Sequence, residues 1–290
     1  MSAFKNQLEK ISYINKSFLC IGLDPYPKYM PIKDIFKFNQ SIIDCTHDLV
    51  CAYKPNIAFY EALGWDGLNA LEKTISYIRT NAPNVPIIGD GKRGDILSTN
   101  EAYAKALFEF WGFDATTINP FSGLETITPF LQYPEKCAFI WCRSSNITIN
   151  DKNHIQSAVI NNSNSISHHI VDTILDKTNP TYKNSMNTLG LIVGANHKTL
   201  LEYIRSIDQE IPILLPGIGA QKGNLKDAVL AGLGTDLGTL IINSTRSIIY
   251  PSSSKENSQK QIRLAATDFN NELNSILLDT MKWDWLSFKQ

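Results

Sequence analysis

Val85-Pro86-Ile87-Ile88-Gly89-Asp90-Gly91-Lys92-Arg93-Gly94-Asp95 passes from apolar to charged within a few residues. Its first part reads as a short buried strand. Its second part packs two carboxylates and two cations into the six residues from Asp90 to Asp95. If the apolar run is a strand, Asp90 and Lys92 are two apart and point to the same face. Holding a carboxylate beside an ammonium at a strand end costs desolvation, which a fold seldom accepts for stability alone. The segment therefore reads as a place where chemistry is done.

The same pattern recurs along the chain. Eight short apolar runs end in polar or glycine chemistry: Phe18–Leu23, Leu49–Tyr53, Val85–Gly89, Phe113–Ile118, Cys137–Cys142, Leu189–Val193, Ile211–Leu215 and Gly238–Ile242. Between most of them, apolar residues spaced by three and four predict helices from Phe38 to His47, Leu68 to Arg79, Thr99 to Trp111, Asn224 to Leu230 and Lys260 to Met281. Strands alternating with helices predict an α/β fold, a (β/α)8 TIM barrel whose active site lies at the C-terminal ends of the strands. Asp24, Lys54, Asp90, Asn119, Arg143, Gly194, Pro216 and Asn243 each follow a run directly or within a residue or two. An open doubly wound sheet shares this alternation and is the alternative architecture.

With 290 residues and 43% hydrophobic content, the chain has enough apolar mass for one large barrel, and a single catalytic domain over 1–290 is the simplest organisation. Lys and Arg total 27 against 28 Asp and Glu, a formal charge of −1, so no global field favours nucleic acid or anionic lipid as a partner. Met1 to Lys16 lacks the apolar core of a signal peptide, and no later stretch reaches the roughly 18 apolar residues of a membrane span. A soluble, cytoplasmic protein is expected. The five cysteines, Cys20, Cys45, Cys51, Cys137 and Cys142, sit mostly in apolar runs without CxxC spacing, which predicts reduced buried thiols. Residues 146–188 break the rhythm with Asn, Ser, Thr and Lys around one helical pattern, Ile166 to Leu175. They read as a polar insertion after the fifth strand, with a lid as the alternative.

In a barrel, Asp24, Lys54, Asp90, Lys92 and Asp95 would share one mouth as an array of alternating sign. Such an array keeps its lysines charged, which suits proton donation and not Schiff-base chemistry. The glycine-rich Leu215-Pro216-Gly217-Ile218-Gly219-Ala220-Gln221-Lys222-Gly223, followed by Arg246 after the eighth run, suits phosphate through backbone N–H groups and an Arg fork, although glycines also serve ordinary turns. Arg143-Ser144-Ser145-Asn146 offers small hydroxyls that would read the edge of a base or cap a helix.

Taken together, these segments resemble the orotidine 5′-phosphate decarboxylase family, in particular its longer group with a Lys-Arg-Gly-Asp motif. Asp90-x-Lys92-x-x-Asp95-Ile96 is similar to the family's catalytic motif. Gly22-Leu23-Asp24-Pro25, Lys54-Pro55-Asn56-x-Ala58-Phe59, Thr117-Ile118-Asn119-Pro120, Arg143-Ser144-Ser145-Asn146, Val193-Gly194-Ala195, Pro216-Gly217-Ile218-Gly219-Ala220-Gln221 and Ser244-x-Arg246 follow in family order. The resemblance implies a carboxy-lyase that converts orotidine 5′-phosphate to UMP and CO2, the last step of de novo pyrimidine synthesis, with no metal and no organic cofactor.

By that likeness Lys92 protonates C6 of the pyrimidine, Asp90 lies against the substrate carboxylate, and Asp24 and Lys54 hold the ribose and the charge array. Asp95, Ile96 and Thr99 reach across a homodimer into the partner's site, and Asn56 completes the pocket. Ser145 faces the pyrimidine edge, Pro216 belongs to the substrate-binding loop, Gln221 bridges base and phosphate, and Arg246 grips the phosphate. Two positions depart from the family: Ser247 stands where Gly is usual, leaving less room for a phosphate near the backbone, and Ser144 stands where Thr is common.

Two rival activities share parts of this pattern. A Mg²⁺-dependent sugar-phosphate decarboxylase or aldolase on the same barrel has an Asp-x-Lys-x-x-Asp motif but needs a further carboxylate nearby, whereas Ile96-Leu97-Ser98-Thr99 follows here and the next acid is Glu101. A catalytically silent nucleotide-binding barrel would have no use for the whole destabilising array.

Overall fold

The computed structural model describes residues 3–145, 155–161, 164–176, 178–179, 183, 185–218, 225–251 and 259–279. Eight parallel strands form its main sheet: β1 (Leu19–Leu23), β2 (Ala52–Pro55), β3 (Ile88–Arg93), β4 (Ala115–Ile118), β5 (Cys137–Arg143), β6 (Leu189–Val193), β7 (Ile213–Leu215) and β8 (Leu240–Ser244). Each pairs with its sequence neighbours, and β8 pairs back onto β1 with Cys20 facing Asn243. Between β2 and β3 the contact reduces to the bridges Tyr53–Ile87 and Asn56–Asp90, which nearly close the ring. The architecture is the TIM barrel, and the open sheet is set aside.

The strands are buried along most of their length, as parallel strands covered by helices must be. Four strands, β2, β3, β5 and β8, extend further than their apolar runs. β3 in particular continues through Asp90 and Lys92 to Arg93, so these charges lie within the strand and not beyond its end. Backbone pairing, unlike hydrophobicity, does not stop where side chains become charged.

The predicted helices form at Ile35–Thr46, Gly64–Asn81, Leu97–Lys105, Leu225–Gly232 and Gln259–Asp279. Asp34 caps the first of these by accepting the Lys37 N–H at 3.0 Å. Past Lys105 the helix widens into a π turn, Ala106–Phe110. Among the described residues, two further helices of ten residues or more were not anticipated. Lys198–Ile207, between β6 and β7, buries Leu200, Leu201 and Ile204. Ala3–Asn15 buries Phe4, Leu8 and Ile11 beneath the barrel, with the Phe4 ring edge-on to Phe139 of β5 at 5.9 Å. Three such side chains withdraw about 1.5–3 kcal/mol each from water.

Within the polar stretch 146–188, Ile166–Leu175 is helical as predicted, and its Ile170, Val171, Ile174 and Leu175 join the central core. It is the barrel helix that follows β5. A short antiparallel hairpin, Val159–Asn161 with Asn164–Ser165, precedes it. Ser167 ties this region to the barrel by donating to the carbonyls of Cys142 (2.9 Å) and Gln156 (3.0 Å). The five cysteines are buried free thiols. Among the described residues, no helix is long and apolar enough to cross a membrane.

Candidate active site

The carboxyl ends of the strands surround a cavity of about 540 Å³. Asp24, Lys54, Asn56, Asp90, Ser145, Pro216 and Arg246 line it, so seven residues singled out in the sequence share one cavity. Asp90 is the hub. Its Oδ2 accepts from Lys54 Nζ at 2.6 Å, and its Oδ1 accepts from Lys92 Nζ at 2.5 Å and from Thr117 Oγ1 at 2.8 Å. Burial alone would push the Asp90 carboxyl up, but Lys54 and Lys92 outweigh it and hold the group well below the usual carboxylate range. Lys54, itself buried, is opposed by desolvation yet kept above the ordinary lysine range by Asp90 and Asp24.

Lys92 reaches Asp90 by a route that strand alternation does not describe. Gly89 faces Thr116 and Arg93 faces Ile118, so Asp90, Gly91 and Lys92 together stand opposite Thr117 alone. Within this bulge Lys92 takes a positive φ of 45°, and its N–H donates to Thr117 Oγ1 at 2.9 Å. The two side chains do meet, but through a bulge in place of a regular pleat.

Asp24 carries the opposite kind of perturbation. Burial raises its carboxyl above the usual range against the pull of Lys54, and its Oδ1 is inaccessible to solvent and lacks a hydrogen-bond partner among the described residues. Its backbone is nevertheless firmly placed. Tyr60 donates to the Leu23 carbonyl at 2.8 Å, while Tyr250 donates to the Asp24 carbonyl at 3.1 Å and accepts the Tyr26 N–H at 2.8 Å. At Gly22 any Cβ would lie 2.0 Å from Thr245 Oγ1, so only glycine lets the end of β8 pass this close to β1.

Arg246 opens the short helix Arg246–Ile249 on the opposite wall, beside Tyr26, Tyr29 and Tyr250. Its guanidinium has no hydrogen bond or ion pair among the described residues, and the residue is exposed and lines the cavity. Ser247 also lines the cavity, its hydroxyl 2.8 Å from that of Ser244. Gln221 lies outside the described residues.

Asp95, Ile96 and Thr99 stand apart from the cavity wall at the start of the helix Leu97–Lys105. Asp95 and Ile96 are exposed, Ile96 by 62%, although Asn100 fixes the turn by accepting the Asp95 N–H and donating to the carbonyls of Asp95 and Thr126. Local spacing had placed Asp95 in the same charge array, but within one chain it makes no ion pair among the described residues. Thr117, Tyr250 and Asn243 were given no role from sequence, since threonine, tyrosine and asparagine near strand ends carry no distinguishing spacing. Among the described residues, no group of three His, Cys, Asp or Glu is placed to hold a metal ion.

Comparison with known proteins converges on one family. The orotidine 5′-phosphate decarboxylase / HUMPS family model matches residues 17–261. The chain is 40% identical over 253 residues to the orotidine 5′-phosphate decarboxylase of Verminephrobacter eiseniae, covering 85% of this chain and 89% of that one. It is 38% identical over 282 residues to the enzyme of the same name from Cellvibrio japonicus, covering 94% and 98%. Among solved structures, Leishmania donovani OMP decarboxylase superimposes with a TM-score of 0.78 at 30% identity, covering 95% of this chain and 98% of that one. The chain belongs to the orotidine 5′-phosphate decarboxylase family.

Proposed function

We propose that the cavity decarboxylates orotidine 5′-phosphate to UMP and CO2, with Lys92 as the proton donor to C6. The observation that carries this reading is Asp90, in the cavity wall, clamped between Lys54 and Lys92. Loss of CO2 from C6 leaves a carbanion in the ring plane that no π-system of the substrate delocalises. The stabilisation must then be electrostatic, and preorganised charge in a site shielded from water is the largest single contributor to many catalysed rates. Lys92 supplies a cation where the negative charge develops, then transfers its proton. Asp90 holds that cation in place and would face the substrate carboxylate until it departs as neutral CO2.

The remaining roles are those the family resemblance implies, and the positions of the described residues support them. Asp24, a half-buried carboxylate in the cavity wall, is suited to accept from ribose hydroxyls, and Asn56 borders the same region. Ser145 offers a hydroxyl to the pyrimidine edge, Pro216 shapes the opposite wall, and Arg246 takes the phosphate, with Gln221 as its partner in that role. Phosphate lies far from C6, so its binding energy aids the reaction by positioning the ring.

The exposure of Asp95 and Ile96 outside the chain's own cavity supports a homodimer in which Asp95, Ile96 and Thr99 enter the neighbouring site. One catalytic domain, with the polar segment ahead of residue 166 as an insertion, and action in the cytoplasm complete the proposal. Following the absorbance of orotidine 5′-phosphate with wild type and Lys92→Ala tests it; an alanine variant of near-normal rate would remove the assigned mechanism.

A further inference from the structure

We infer that Thr117 is a positioning residue for the reaction, its one hydroxyl holding both the Lys92 backbone and the Asp90 oxygen that Lys92 contacts. The hydrogen bonds form a closed circuit. The Lys92 N–H donates to Thr117 Oγ1 at 2.9 Å, Thr117 donates to Asp90 Oδ1 at 2.8 Å, and Lys92 Nζ donates to that same oxygen at 2.5 Å.

Such a circuit is needed because β3 bulges here. Three residues of β3 oppose one of β4, so regular ladder pairing does not hold Lys92, whose positive φ is a conformation that L side chains adopt rarely. A strained conformation persists only where its surroundings over-determine it. Thr117 is 1% exposed and fixed within β4, and its hydroxyl is a group that can accept and donate at once. The neighbouring Thr116 hydroxyl braces the other edge of the bulge by donating to the Gly89 carbonyl at 2.9 Å. Valine at 117 would keep the shape and the β-branch but remove both bonds. The Lys92 N–H would then lose its partner, Asp90 would gain rotational freedom, and the ammonium would drift from the position it must hold.

The inference rests on the decarboxylase reading, and one set of measurements separates the two. Wild type, Thr117→Val and Thr117→Ser are compared for kcat and KM with orotidine 5′-phosphate, for UMP affinity by titration, and for thermal melting. Thr117→Val is expected to lower kcat by about 10- to 100-fold, the cost of a misplaced catalytic group, while UMP affinity stays within about threefold. Thr117→Ser, which restores the hydroxyl without the methyl, is expected to return kcat to within about threefold of wild type. A Thr117→Val enzyme as fast as wild type, or a serine variant as slow as the valine one, would overturn the inference. If Thr117→Val fails to fold, Thr117→Ala takes its place against serine with the same criteria. An inactive wild type would instead remove the decarboxylase reading itself.

Discussion

Replacing Lys54 by methionine isolates the electrostatic strain in the site. Lys54 Nζ and Asp90 Oδ2 are 2.6 Å apart with side chains only 5% and 7% exposed. Removing one partner of a buried pair costs about 3–5 kcal/mol, because the other charge is left without compensation. Lys92 and Thr117 still hold Asp90 Oδ1, which places Lys54→Met near the lower end, about 3 kcal/mol. The double variant Lys54→Met/Asp90→Asn removes both charges, and most of that loss should return, giving a coupling of at least about 2 kcal/mol.

The sign of the pH dependence follows from Asp90, whose carboxyl is held below its unfolded value. Its contribution is present above the unfolded range, near pH 4, and is lost as the pH falls through the lower folded value. The gap between wild type and Lys54→Met should accordingly be widest at neutral pH and narrow in acid. Urea unfolding followed by circular dichroism, at fixed protein concentration, at pH 7 and in steps below pH 4, measures each term. A Lys54→Met protein as stable as wild type at pH 7, or a double variant no better than the single, would refute the reasoning.

Lys92→Ala should lower kcat by at least about 1,000-fold while UMP titration shows near-normal affinity, as expected of a group that transfers a proton in the transition state. Arg246→Ala should weaken UMP binding by about 10- to 100-fold without altering uridine binding, since it loses a charge-assisted bond to phosphate. Asp24→Asn should be inactive yet more stable by about 1 kcal/mol at neutral pH: burial raises the Asp24 carboxyl, so ionisation above its unfolded value disfavours folding, and thermal melting with no ligand reads the difference. Mixing inactive Lys92→Ala and Asp95→Ala proteins under exchanging conditions should recover about a quarter of wild-type activity if Asp95 serves the partner's site, and none if it serves its own.

Much of the barrel was legible because parallel strands buried on both faces leave an unbroken apolar run, and eight such runs end in functional chemistry. The charged residues were legible for a related reason: Asp24, Lys54 and Asp90 have no place in an apolar core unless something there needs them. The bulge in β3 was hidden, since a backbone excursion at Lys92 leaves no mark in side-chain type beyond the adjacent Gly91. Thr117 was hidden because threonine is an ordinary strand residue, and its role depends on which hydroxyl faces which carboxylate. The helix Lys198–Ile207 carries a clear apolar stripe through Leu200, Leu201 and Ile204 and was open to the same periodicity argument as the others. Ala3–Asn15 is a different case, because its Phe4, Leu8 and Ile11 gain meaning only from the barrel end that they cover.

The most direct test of the central claim is the absorbance of orotidine 5′-phosphate incubated with the purified wild-type protein in buffer containing EDTA. A fall in absorbance with stoichiometric release of CO2 and UMP, at the same rate with and without EDTA, is the predicted result. No turnover at micromolar enzyme, or turnover abolished by EDTA, would contradict it.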